Sequence, residues 1–172
     1  MTKNLIIYYS RKGENYFNGS IRSIAKGNTE IAAEFIQKAV GGDLFEVDTV
    51  TPYSADYTTC TEEAKKELNE DARPELKAYL ESVDGYDNIF VCGPCWWGTY
   101  PMAIFSQLDR LDLSGKTVTA LMTHEGSGLG SCERDLKKYC ANAIMKKGLA
   151  VQGGHTANSE SKIAAWAKEV VK

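Results

Sequence analysis

The feature that most constrains the fold of this chain is an alternation of short apolar runs with segments of helical periodicity. The first run, LIIYYS at 5–10, is continuously apolar up to its last residue, which is typical of a parallel strand buried on both faces. From Asn28 the apolar residues recur at helical spacing until Gly41-Gly42. This strand-then-helix order, repeated along the chain, predicts an open parallel sheet with helices on both faces.

The same pattern predicts five strands and about five helices. Strands are expected at 5–10, 43–50, 87–93, 117–123 and 149–153, and helices at 28–40, within 51–80 as one or two short helices, at 102–108, at 131–144 and from about 159 onward. Right-handed crossovers leave few orders for such a sheet. We therefore expect a single domain over 1–172, an α/β fold built as a three-layer α/β/α sandwich, with a five-stranded parallel sheet of order 2-1-3-4-5.

Composition and charge exclude several classes of protein. The chain has 172 residues, a formal net charge of −3 and basic residues scattered without a stripe, so we expect no nucleic-acid binding. The apolar run that starts at Leu5 is too short for a signal core or a membrane span. Five cysteines without a disulfide framework indicate a reducing compartment. We expect a cytoplasmic protein that does not bind membranes and is a monomer or weak dimer.

A ligand of a 2-1-3-4-5 sheet lies beyond the carboxyl ends of strands 1 and 3, where the winding direction reverses. Ser10 ends the first strand, and Gly27-Asn28-Thr29 opens the long helix, whose free N–H groups favour an anion. This indicates a phosphate site, in which Gly27 permits close backbone approach. The alternative is that Asn28 is only a helix N-cap. Residues 11–26 are expected to form an excursion at the binding face.

The loop after the third predicted strand reads GPCWWGTYP, with tryptophans at 96 and 97. Adjacent tryptophans at a strand end favour a flat aromatic ligand, because stacking adds about 1 kcal/mol beyond area burial. The alternative is that one or both cover the core. The preceding CGPC matches a dithiol redox motif, but Cys92 ends a buried strand and Pro101 delays the helix, so the helix N-terminus that activates such thiols is missing.

The loop after the fourth predicted strand reads THEGSGLGS, whose glycines allow tight approach of the backbone to a ligand. His124 is interpreted as a hydrogen-bonded loop residue, with acid–base catalysis as the alternative. The only other histidine is His155, and we expect no metal site because too few ligands stand at suitable spacing.

Four motifs in order, YYS, GNTE, GPCWWGTYP and THEGSGLGS, give the chain a family resemblance over nearly its whole length. It resembles the flavodoxins, and is most similar to the branch with a WWG loop. The resemblance implies noncovalent FMN, with the phosphate at Ser10, Gly27, Asn28 and Thr29. It further implies that one loop wraps the isoalloxazine, and this loop consists of Pro94, Cys95, Trp96, Trp97, Gly98 and Thr99. Another loop is then expected at the other side or edge of the ring, and it consists of Thr123, His124, Glu125, Gly126, Ser127 and Gly128.

The resemblance implies an electron-transfer protein that shuttles electrons between a reductase and an acceptor protein as transient partners. No catalytic side chain is then required, because the cofactor carries the redox chemistry. One alternative is an FMN-dependent NAD(P)H oxidoreductase that acts on quinones or similar small molecules. Another is a binding domain that has lost its flavin and serves as an interaction module.

Overall fold

A computed structural model describes all 172 residues. The strands are β1 (Asn4–Tyr8), β2 (Gly13–Phe17), β3 (Ser20–Ile24), β4 (Asp43–Glu46), β5 (Asn88–Pro94), β6 (Thr117–His124), β7 (Ile144–Met145) and β8 (Leu149–Gln152). The helices are α1 (Asn28–Val40), α2 (Tyr57–Asn69), α3 (Met102–Leu108), α4 (Cys132–Lys137) and α5 (Glu160–Val170), with a 3-10 helix at Gly153–Asn158.

Six of these strands form one parallel sheet in the order β4-β1-β5-β6, with β7 and β8 both paired to the far side of β6. Counting β7 and β8 as one interrupted strand gives the order 2-1-3-4-5, so the predicted fold class is confirmed. The carboxyl ends of β1, β5 and β6 therefore meet at one edge of the sheet. The loops that follow these three strands lie side by side and are called the first, second and third loops below.

Alternating side chains of β1 explain why its sequence is apolar throughout. Leu5 and Ile7 enter one core cluster, which also contains residues of α3 and α4. Ile6 and Tyr8 enter the other cluster, which contains residues of α1 and α5. Both faces of the strand are thus covered by helices, as expected for the centre of a three-layer sandwich. None of the helices combines the length and the apolar character that crossing a membrane requires.

The excursion at 11–26 is a β-hairpin, which the sequence analysis did not predict. Strands β2 and β3 pair antiparallel as a separate two-stranded sheet, with Phe17 opposite Ser20. Between them Asn18 and Gly19 have φ values of 50° and 87°. Positive φ at both central residues defines the tight turn that Asn-Gly favours, and this dipeptide is the signal that was overlooked.

Three predicted elements end earlier than expected, two of them because the residues that follow pair elsewhere. The helix predicted at 131–144 ends at Lys137, since Ile144 must return to pair with Thr117 as β7. The strand predicted at 43–50 ends at Glu46, and Thr49 instead forms an antiparallel bridge with Leu76. Strand β1 ends at Tyr8, two residues before its predicted end, although Tyr9 N–H still donates to the Cys92 carbonyl at 3.1 Å. The segment 51–80 holds a single helix, α2.

Candidate functional site

The start of α1 presents hydrogen-bond donors at the end of β1. The first helical bond runs from Ile31 N–H to the Gly27 carbonyl, and Ser10 Oγ accepts from Glu30 N–H at 3.0 Å. The N–H groups of Asn28 and Thr29 precede that first bond and have no helical acceptor. Two free N–H groups and a serine hydroxyl thus lie at the positive end of a 13-residue helix, where an anion is favoured.

Gly27, and not Asn28, is the N-cap residue of α1, and no side chain of its own caps the helix. The N-cap alternative for Asn28 is therefore wrong, and Ser10 supplies the capping oxygen from the end of β1. A Cβ on Gly27 would lie 2.0 Å from Ser10 Oγ and 2.7 Å from the Arg11 carbonyl oxygen. Glycine at this position lets the chain return to Ser10 after the hairpin, which is a packing reason that the sequence alone did not reveal.

A buried hydroxyl pair joins the first loop to the third. Thr29 Oγ1 and Thr123 Oγ1 lie 2.8 Å apart, and both residues are almost fully buried. The Thr123 carbonyl also accepts from Cys95 N–H at 2.8 Å, which extends the pairing of β5 and β6 into the second loop. These contacts hold the three loops together at the edge of the sheet.

The two tryptophans of the second loop have different environments. Trp96 packs edge-on against Tyr53 and Tyr9, with ring centroids 4.9 and 5.2 Å away. Trp97 is 52% exposed, donates its indole N–H to the Thr61 carbonyl of α2 and lies under the ammonium of Lys65. Trp96 therefore covers the core, which agrees with the alternative that one of the two tryptophans does so. Of the pair, only Trp97 lies open to solvent.

A tight turn separates Trp96 from Thr99. Trp96 N–H donates to the Thr99 carbonyl at 2.8 Å, while Trp97 and Gly98 have φ values of 55° and 89°. A left-handed conformation at a non-glycine residue is uncommon, costs on the order of 1–3 kcal/mol, and persists only where surrounding contacts impose it. Here the indole contact with Thr61 on one side and the bond from Ser131 N–H to the Gly98 carbonyl on the other impose it.

Thr99 faces away from the cleft. Its hydroxyl donates to Asp135 Oδ2 at 2.7 Å, and both residues are buried. Burial by itself would raise the pKa of Asp135, but the hydrogen bonds from Thr99 and Arg134 outweigh it, so the pKa is lowered. Asp135 is thus a carboxylate that anchors the second loop from behind.

The third loop is held by its own side chains. His124 Nδ1 accepts from Gly126 N–H at 2.9 Å, and Glu125 Oε1 accepts from Gly154 N–H at 3.1 Å. Burial lowers the pKa of His124, so the neutral ring, whose Nδ1 can accept, is favoured. The structure thus gives His124 the contacts of a hydrogen-bonded loop residue.

Two neighbouring cavities lie where the loops meet. The smaller, of about 100 Å³, lies among all three loops and the hairpin, and the larger, of about 280 Å³, lies between the second loop and α2. Tyr57, Cys95 and Trp96 line both. Cofactor sites typically occupy roughly 300–1,000 Å³, so only the two cavities together, called the cleft below, reach that size.

The cleft unites part of the predicted site. The predicted residues that line it are Asn28, Pro94, Cys95, Trp96, Trp97, Thr123, His124 and Glu125. The other predicted residues do not line it: Ser10 and Gly27 beside the start of α1, Thr29 in its first turn, Gly98 and Thr99 in the second loop, and Gly126, Ser127 and Gly128 farther along the third.

Sequence reasoning missed the aromatic cover of the cleft. Tyr16 of the hairpin and Tyr57 of α2 line the smaller cavity with their rings 6.4 Å apart, and Glu14 accepts from Tyr57 N–H at 2.8 Å. The Asn-Gly turn could have placed Tyr16 on a hairpin. Nothing local marks Tyr57, because only the packing of α2 brings it to this edge.

The environment of Cys92 does not fit the activated thiol of a dithiol centre. Cys92 is fully buried within β5, and burial raises its pKa, the opposite of what an activated thiolate requires. All five cysteines are free thiols. No group of three or more histidine, cysteine, aspartate or glutamate side chains is arranged to hold a metal ion.

Comparison with known proteins identifies the family. The model of the family described as flavodoxin matches residues 16–170. The chain belongs to the flavodoxin family. No curated protein sequence matches this flavodoxin.

Solved structures give the same fold. A candidate flavoprotein of Bacteroides eggerthii is 29% identical, with a TM-score of 0.78 over 100% of this chain and 99% of that one. A candidate flavoprotein of Bacteroides uniformis is 26% identical, with a TM-score of 0.75 over 97% and 98%. A Lactobacillus acidophilus flavoprotein in complex with FMN is 20% identical, with a TM-score of 0.66 over 94% and 99%, which shows the shared fold alone.

Proposed function

We propose that this flavodoxin binds FMN noncovalently in the cleft and serves as an electron-transfer protein. The observation that carries the proposal is the convergence of the three loops: donors for an anion at the start of α1 lie next to an aromatic-lined cleft between the second and third loops. A phosphate attached to a flat ring system requires this combination. Membership of the flavodoxin family and the FMN complex of the Lactobacillus acidophilus relative support FMN in particular.

The residues present fit the parts of FMN. The N–H groups of Asn28 and Thr29 are free for the phosphate, and the Ser10 hydroxyl, which accepts from Glu30, retains its proton for donation. Tyr57, Cys95 and Trp96, which line both cavities, would border the isoalloxazine. When bound, FMN supplies the redox chemistry, in steps of one or two electrons.

The protein's contribution is to bind and orient the cofactor. The bonds that anchor Gly98 and Thr99 fix the second loop, and the hydroxyl pair of Thr29 and Thr123 fixes the phosphate end against β6. All of these contacts lie within the chain, and contacts that hold a site in place lower the ordering cost of ligand binding. Exchange of electrons with a reductase and an acceptor protein, both transient partners, is part of the proposal, as is a cytoplasmic location.

A second candidate function is an FMN-dependent NAD(P)H oxidoreductase acting on quinones or similar small molecules. The larger cavity favours it, because it is lined mainly by apolar side chains and reaches the surface beside Trp97. A flat apolar substrate could enter there if the flavin left part of it empty.

Titration of the purified protein with FMN tests cofactor binding, and reduction tests the choice between the two functions. We expect visible flavin absorption, quenching of FMN fluorescence, and slow reduction by NAD(P)H alone that becomes fast when a flavodoxin reductase is added. Rapid turnover with only NAD(P)H and a quinone would contradict the proposed carrier function and favour the oxidoreductase. A protein that stays colourless and gives no binding heat with FMN would overturn both.

A further inference from the structure

Trp96 connects the cleft to a half-buried tyrosine, Tyr53, that has a carboxylate partner. Trp96 is among the residues that line the cleft, and its ring meets the Tyr53 ring at a centroid distance of 4.9 Å and an interplanar angle of 84°. The Tyr53 hydroxyl donates to Glu67 Oε2 at 2.7 Å. A continuous path of indole, phenol and carboxylate, called the relay below, therefore runs from the cleft toward α2.

The end of the relay has the properties of a proton acceptor. Burial raises the pKa of Glu67, although the bond from Tyr53 acts in the opposite direction, and the neighbouring Glu63 raises it further. Burial also raises the pKa of Tyr53, followed by the bond to Glu67, so the phenol does not ionise at neutral pH. Loss of an electron makes a phenol strongly acidic, and a hydrogen-bonded carboxylate then takes its proton.

We propose that Trp96, Tyr53 and Glu67 form a proton-coupled electron relay that refills an oxidised Trp96. A one-electron oxidant in the cleft removes an electron from the indole, and Tyr53 supplies an electron to restore it. The phenolic proton crosses to Glu67 Oε2 along the existing hydrogen bond. The products are a neutral indole, a neutral phenoxyl radical at Tyr53 and a protonated Glu67, with the electron kept by the oxidant.

FMN bound as proposed above would supply this oxidant when light excites it, so the natural source of the oxidant rests on the proposed function. The relay moves the oxidised site away from the cofactor, which protects the second loop from damage until the electron returns. A cavity of about 300 Å³ on the other side is lined by Tyr53, Glu63 and Glu67, and it gives the transferred proton access to solvent.

Other tyrosines lack one part of this arrangement. Tyr9 also meets Trp96, at 5.2 Å, but has no hydrogen-bonded carboxylate. Tyr86 and Tyr139 donate to Asp43 and Asp109 at 2.7 Å each, but neither ring packs against a tryptophan. Tyr53 alone combines both contacts, and Tyr86 is a matched control because it has the same hydrogen bond without the indole.

The first experiment uses the full chain without cofactor. The protein carries W97F and W166F, so that Trp96 is the remaining tryptophan of three, and azide radicals generated by pulse radiolysis oxidise it. We expect the tryptophan radical signal to convert into a tyrosine radical signal. Tyr53→Phe should slow this conversion at least about tenfold, Glu67→Gln should slow it, and Tyr86→Phe should leave it unchanged. Unchanged conversion in Tyr53→Phe overturns the relay.

The second experiment uses the protein loaded with FMN and flash photolysis. We expect a phenoxyl radical that outlives the tryptophan radical, forms more slowly in D2O and is absent in Tyr53→Phe. Circular dichroism checks that each variant is folded. A chain that binds no FMN but shows the Tyr53-dependent conversion refutes the proposed function and leaves the relay standing. A chain that binds FMN without that conversion refutes the relay alone.

Discussion

The hydroxyl of Thr99 donates a hydrogen bond of 2.7 Å to Asp135 Oδ2 and thereby joins the second loop to α4 on the side away from the cleft. Asp135 also pairs with Arg134 and Lys138. The anchor thus combines one buried hydrogen bond with two cations at the surface. Because the bond acts on the loop and not on a ligand, its loss is expected to affect cofactor affinity indirectly.

Replacing Thr99 by valine tests this anchor, since valine keeps the shape and removes the donor. We expect the free energy of unfolding to fall by about 1–3 kcal/mol, because a buried charged acceptor loses a partner. The affinity for FMN should fall as well, measured by fluorescence titration. Thr58→Val, at an exposed position of α2, is the control. If the free energy of unfolding and the FMN affinity of Thr99→Val equalled those of the control, the hydrogen bond to Asp135 would contribute nothing.

Replacing Ser10 by alanine should weaken the phosphate end specifically. The substitution removes the oxygen that accepts from Glu30 N–H, and lost caps cost about 0.5–2 kcal/mol of stability. We expect FMN affinity to fall by more than riboflavin affinity, because only FMN carries the phosphate. Ser23→Ala on the exposed hairpin strand is the control. If the affinities for FMN and for riboflavin fell equally, the phosphate would not bind at Ser10.

The hydroxyl pair of Thr29 and Thr123 should show strong coupling. Either single change to valine leaves the partner hydroxyl buried without its bond, at about 1–3 kcal/mol. The double change removes both groups and should cost less than the sum of the single changes. A urea-unfolding double-mutant cycle measures the coupling. Additive losses would mean that each hydroxyl finds another partner.

Acidification should destabilise the third loop through His124. Burial lowers its folded pKa below the unfolded value of about 6.5. At a pH between the folded and the unfolded pKa, the unfolded chain binds more protons than the folded chain. The contribution of His124 to the free energy of unfolding is therefore fully present above pH about 6.5 and is lost as the pH falls toward the folded pKa.

Melting temperatures at pH about 7.5 and 5.5 measure this dependence. His124→Asn should reduce it, because the asparagine oxygen can accept from the N–H two residues on without titrating. His155→Asn, at an exposed histidine, should keep it. If the melting temperature of His124→Asn changed with pH as much as that of the wild type, a group other than His124 would cause the acid sensitivity.

The parts predicted from sequence are those with local signals. The apolar run of β1 and the periodic apolar face of α1 can be recognised from the sequence. The reversal of winding between strands 1 and 3 then predicts that Ser10, Asn28 and Trp96 lie at one edge of the sheet. The interrupted fifth strand could not be predicted in this way, because its break depends on pairing with β6. Tyr57 likewise reaches the cleft only through the packing of α2.

The near contact of Ser10 with Gly27 has a consequence for how this site can change. Since the two residues adjoin, the 16 residues between them (11–26) form a closed excursion whose length does not set the geometry of the phosphate end. The entropic cost of a loop rises only slowly with its length. Evolution or a designer can therefore shorten, lengthen or exchange the hairpin and so alter the cover of the cleft, while the start of α1 keeps its place beside Ser10.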